Sequence, residues 1–134
     1  MLSLARIAVR TRADAEHAQD VARTMAYAVG LSVIEAESVV LATSELATNL
    51  VRYGSDGEVT LAPVDGPYGA GLQVESQDTG PGIPDLERAM TDGFSTGGGL
   101  GGGLPAVRRL MDDFDIVSSV DGTRVVARKW PRRR

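Results

Sequence analysis

The chain of 134 residues has the size of one ordinary domain, and its 43% hydrophobic content is enough to bury a core. Fourteen Lys and Arg against eighteen Asp and Glu exclude the broad basic footprint of a general nucleic-acid binder, and the absence of cysteine excludes disulfides, a thiolate nucleophile and Cys-ligated zinc. A single histidine, His17, excludes paired-His metal sites, while the sole lysine, Lys129, comes too late for a G-x-x-x-x-G-K-[ST] phosphate loop or the V-A-I-K strand of ordinary protein kinases.

Met1 to Arg10 is broken by charge, and no apolar run nears the roughly 18 residues that span a bilayer, so the reading is a soluble, cytoplasmic protein. Leu4 to Val9 reads as a short strand. Thr11 or Asp14 caps a helix running to about Val29, since Ala18, Val21, Ala22, Met25 and Ala26 repeat at helical spacing and Gly30 supplies a stop. Ser32 with Glu35 forms a capping box that opens a second helix through Val39, Ala42, Leu46 and Leu50 to Tyr53, ended by Gly54.

The period then changes. Glu58 to Ala62 and Gly71 to Gln77 alternate as adjacent antiparallel strands, separated by the Pro- and Gly-bearing stretch 63–70. Residues 85–91 read as a short helix. Six of the sixteen glycines fall between Gly97 and Gly103, so residues 93–103 read as a flexible loop. Pro105 suits the first turn of another helix with Val107, Leu110 and Met111 facing inward, and Ile116 to Val120 and Thr123 to Val126 flank Asp121-Gly122 as a hairpin. The fold class that follows is α+β: a mostly antiparallel sheet with helices on one face, in one domain over residues 1–134. Six of the fourteen cations lie in the last eleven residues, leaving eight against eighteen acids in residues 1–123. The stretch Trp130 to Arg134 is read as a basic, solubilising tail rather than as a contact for acidic partners. Trp130 and Tyr53 read as packing anchors, and His17 as an exposed residue.

Three segments can carry chemistry. Glu45 and Asn49, one turn apart on the second helix, project from one face and can reach one site, as a general base and a ligand for a hard cation such as Mg²⁺. Gln77 to Pro84 (QDTGPGIP) puts Asp78 at a strand end before a rigid turn of little bulk, where a planar ligand can approach and Asp78 can accept a hydrogen bond from an exocyclic amine such as that of adenine. The run Gly97, Gly98, Gly99, Leu100, Gly101, Gly102, Gly103, Leu104 ends at a helix start, where free N–H groups and the helix dipole favour a triphosphate, so a lid that settles with nucleotide is expected. A G-x-S-x-G match at Gly93 to Gly97 lacks a preceding strand and a downstream histidine, and a G-x-G-x-x-G match at Gly97 to Gly102 lacks a βαβ setting.

Together, ELATN (Glu45 to Asn49), the D-x-G-x-G after a strand, DGFSTGGGLGGGLP (Asp92 to Pro105) and Gly122-Thr123 resemble the GHKL superfamily of ATP-binding domains, and within it the small bacterial partner-switching serine/threonine protein kinases. The likeness is nearer to stressosome switch kinases than to anti-sigma-factor kinases, and Thr48 departs from it where a basic residue is expected. The resemblance implies the two-layer α/β sandwich of the Bergerat type, with ATP and Mg²⁺ as ligands. It implies that Asp78 holds the adenine amine, Gly80 and Gly82 leave room for the base, Thr123 adds a hydroxyl contact, Asn49 binds Mg²⁺, Glu45 is the general base, and the 97–104 lid lines the phosphates. It further implies STAS-domain scaffold and antagonist proteins as substrates, a PP2C-type phosphatase as the activated partner, and a sigma factor downstream. The other readings are an anti-sigma-factor kinase that sequesters a sigma factor, and a non-catalytic module that uses ATP as a conformational ligand.

Overall fold

The computed structural model describes residues 3–83, 90 and 103–132. Its first strand, β1 (Ala5–Ala8), leads into helix α1 (Arg12–Ala28) and then α2 (Val33–Tyr53). Both helices begin at a reciprocal cap. The Thr11 hydroxyl accepts the Asp14 N–H, while the Asp14 carboxylate accepts the N–H groups of Arg10 and Thr11 at 2.9 and 3.1 Å. Ser32 and Glu35 repeat the arrangement, with the Ser32 N–H donating to Glu35 Oε1 at 2.8 Å. Each such device satisfies N–H groups that the first helical turn leaves open. Of the two sequence candidates for the first cap, Thr11 is the cap and Asp14 its partner.

Strands β2 (Glu58–Val64), β3 (Gly71–Asp78), β4 (Asp113–Ser119) and β5 (Gly122–Lys129) follow, with a short helix α3 (Gly103–Leu110) before β4. All pairings are antiparallel, in the order β1-β2-β3-β5-β4. Alternation decides which side is covered. Ile7, Val59, Leu61, Leu72, Val74 and Val125 point to the helices and are buried, while the other face carries Arg6–Glu58 and Arg124–Glu75 ion pairs. On α1 the buried stripe is Ala15, Ala18, Ala22, Met25 and Ala26, and its four alanines let α1 lie close against α2. The expected α+β layering is therefore present.

Several details differ from the sequence reading. β2 runs on through Pro63 to Val64, beyond its last β1 partner at Leu61, with Pro63 set opposite Leu72 of β3. The hairpin turn is Val120-Asp121 rather than Asp121-Gly122: Ser119 pairs with Gly122, which takes a positive φ of +138° as the first residue of β5. Tyr53, read as an anchor, is 52% exposed at the end of α2, whereas His17 is exposed as expected. The short helix expected over 85–91 and the glycine run up to Gly102 lie outside the described residues, apart from Met90, which packs against the core. No described helix is long and apolar enough to cross a membrane.

Candidate active site

Asp78 ends β3, and its Oδ1 accepts the Gly80 N–H at 2.9 Å, closing a tight turn within two residues. The second carboxylate oxygen has no protein partner among the described residues and remains available as an acceptor. The next residue latches the turn to the end of α2: the Thr79 N–H and hydroxyl both donate to the Ser55 carbonyl, at 2.9 and 3.2 Å. The helix that carries Glu45 and Asn49 is thus tied to the strand end that carries Asp78.

Thr123 is the direct cross-strand partner of Asp78. Its hydroxyl lies 2.9 Å from that of Ser118, its partner on β4, and Ser118 Oγ accepts the Ile83 N–H at 2.7 Å. A row of three side chains from three strands, Asp78, Thr123 and Ser118, therefore shares one face and fixes the segment after the turn. The parts played by the Ser118 and Thr79 hydroxyls and by the Ser55 main-chain carbonyl were not found from the sequence; such isolated groups carry no spacing signal, and only the folded chain brings them together.

Of the two glycines of the turn, Gly82 is required by backbone packing. At Gly82, φ is +84° and a Cβ would fall 2.1 Å from the Ser119 carbonyl oxygen, so glycine is needed there to seat the β4–β5 hairpin. Gly80 is buried, and a Cβ on it would approach Asp78 Oδ1 at 3.2 Å.

On α2, Glu45 and Asn49 are both half-buried, one turn apart, beside the fully buried Leu46 and Ala47. Gln19 of α1 donates to Ser44 at 3.0 Å and braces the same turn. Among the described residues no group of three or more His, Cys, Asp or Glu side chains could hold a metal. One amide oxygen at Asn49 fits a cation that takes most of its ligands from phosphates and water, as Mg²⁺ does.

Of the lid residues, only Gly103 and Leu104 are described. Gly103, with φ +57°, opens α3 with nothing near its Cβ position. Leu104, expected on the phosphates, is buried in the core together with Val107, because α3 starts two residues before Pro105 and turns Leu104 inward; its side chain is a packing group.

The comparisons with known proteins agree with this fold. The model of the histidine kinase-like ATPase domain matches residues 8–129, and the chain belongs to that family. It is 39% identical over 127 residues to the serine/threonine-protein kinase RsbT of Bacillus subtilis (strain 168), covering 94% of this chain and 96% of that protein. The expectation of a protein serine/threonine kinase is borne out by that likeness. Among solved structures, a Mycobacterium tuberculosis protein with RsbU and RsbW domains superposes with a TM-score of 0.67 at 18% identity, over 98% of this chain and 34% of the other. A histidine kinase domain from a blue-light-activated kinase of Erythrobacter litoralis gives 0.53 at 20% identity, over 87% of this chain and 63% of that one. At these identities the two structures bear on the fold alone.

Proposed function

We propose that the chain is a one-domain, cytoplasmic, ATP-dependent kinase that phosphorylates serine or threonine on STAS-domain partner proteins. In the same reading it is released from scaffold and antagonist to activate a PP2C-type phosphatase upstream of a sigma factor. The observation that carries the reading is the 39% identity to a serine/threonine-protein kinase across nearly the whole of both chains.

In this reading Asp78 accepts a hydrogen bond from the adenine amine through its second carboxylate oxygen, and the Thr123 hydroxyl, already oriented by Ser118, adds a contact below the base. Asn49 holds Mg²⁺, which neutralises phosphate charge when bound. Glu45 takes the proton of the acceptor hydroxyl as that oxygen bonds to the γ-phosphorus and the bond to the β-phosphate oxygen breaks, leaving ADP. The glycine run from Gly97 to Gly103 supplies backbone N–H groups along the phosphates without side chains to obstruct them.

The test is incubation with γ-labelled ATP, Mg²⁺ and candidate STAS-domain proteins, alongside Glu45→Ala. Label on a serine or threonine of a STAS protein with the wild type and none with the variant is the expected result. Absence of label with the wild type overturns the reading.

A further inference from the structure

A second site lies at the opposite pole of the sheet. Asp78 ends β3 and Gly122 begins β5, whereas Gly71 begins β3 and Lys129 ends β5, and it is around this other end that a groove of about 410 Å³ opens. Its walls are Pro67 and Tyr68 from the β2–β3 connection, Asp112 after α3, and Trp130, Pro131 and Arg132 after β5.

The groove is built and held. A Cβ on Gly66 or Gly71 would fall 2.5 or 2.8 Å from atoms of the Trp130 ring, so the connection is shaped around the indole. Trp130 donates its backbone N–H to Asp112 at 2.8 Å and its ring N–H to Asp113 at 2.7 Å. The Arg132 N–H donates to Glu35 Oε2 at 2.7 Å, so the part of the expected solubilising tail up to Arg132 is pinned to the start of α2.

Charge selects the occupant. The floor is apolar, from two prolines and two aromatic rings. Asp112 is committed to Trp130 and to Lys129 Nζ at 3.5 Å, whereas the exposed Arg132 guanidinium makes no ion pair among the described residues. In sequence two more arginines follow it, while residues 1–123 hold eight cations against eighteen acids. Among the described residues at the groove, Lys129 is thus paired with Asp112, and Arg132 is the cation left to meet an incoming carboxylate.

We infer that the groove docks an acidic segment of a partner protein, an aromatic or large aliphatic side chain lying on Trp130 and Tyr68 and a neighbouring carboxylate meeting Arg132. Nothing in this site rests on the kinase reading.

Trp130 is the sole tryptophan of the chain, so its emission reports the groove directly. The probe is a synthetic tryptophan-free peptide in which Phe and Leu are set among glutamates, with a counterpart carrying lysines instead. The acidic peptide should shift the emission saturably, and added salt should weaken it. Arg132→Ala should lower affinity about twofold to fivefold and Arg132→Glu further. Arg132→Ala keeps the backbone N–H on Glu35 and should melt with the wild type, and Tyr68→Ala should weaken the peptide through the floor alone. No emission change, an equal response to the lysine peptide, indifference to Arg132→Glu, or a response to phosphatidylserine vesicles and not to the peptide would each overturn the proposal.

Discussion

Gly122 stands so close to Asp78 that a Cβ on it would fall 2.0 Å from the Asp78 carbonyl oxygen, and its φ of +138° is one that other residues rarely adopt. The glycine thus holds β5 against the strand end that carries Asp78. Gly122→Ala must push the two strands apart or strain the turn, at a cost of about 1–3 kcal/mol of stability from overpacking alone. A lower urea midpoint together with weaker ATP binding is the expected pair of results; a normal midpoint would show that the strands yield freely.

Replacing Asp78 by asparagine keeps the shape and removes the charge. A hydrogen bond to a charged group is worth about 1.5–3 kcal/mol, so ATP affinity should fall roughly tenfold to a hundredfold in calorimetry with Mg²⁺ present. Unaltered affinity would take Asp78 out of the site.

Glu45→Ala separates chemistry from binding. Phosphoryl transfer should drop by about 10²–10⁴-fold, the usual contribution of a general base, with ATP affinity within about twofold of wild type. Single-turnover transfer measured beside equilibrium binding distinguishes this from loss of the site as a whole, which would lower both.

Ser118→Ala breaks the link between Ile83 and Thr123 and touches nothing on α2. Loss of a neutral hydrogen bond network of this size costs about 1 kcal/mol. ATP affinity should weaken severalfold while the transfer rate at saturating ATP stays the same, a KM effect without a kcat effect.

The cap of α1 has an acid limit. Backbone N–H groups of Arg10 and Thr11 hold the Asp14 carboxyl below its ordinary value of 3.8. A carboxyl lowered by folding stabilises the native state fully above the unfolded value and loses that contribution as pH falls through the folded one. Asp14→Asn should therefore be less stable than the wild type at pH 7, and the gap should close in urea titrations as pH drops below about 3.8.

Helices and their starts were legible because their determinants are local: Thr11 with Asp14 and Ser32 with Glu35 each lie within one turn, and the apolar positions between repeat at helical spacing. The placement of Glu45 and Asn49 on α2 and of Asp78 at the end of β3 followed from the same kind of reading. What escaped depends on partners distant in sequence. Asp-Gly reads as a turn centre, yet Gly122 is set by its fit against Asp78. Leu104 looks like lid from its glycine neighbours, and only the packing of α3 draws it into the core. Trp130 gives no sign in the sequence that Gly66 and Gly71 are shaped to it.

Glu35 receives the N–H of Ser32 through one oxygen and that of Arg132 through the other, although it is only 2% exposed. Shortening the chain to Lys129 would withdraw a donor from an interior carboxylate, which costs far more than trimming loose surface residues. Deletion of these last residues, chosen to reduce their cationic character, would be felt first as fraying at the opening turn of the helix that bears Glu45.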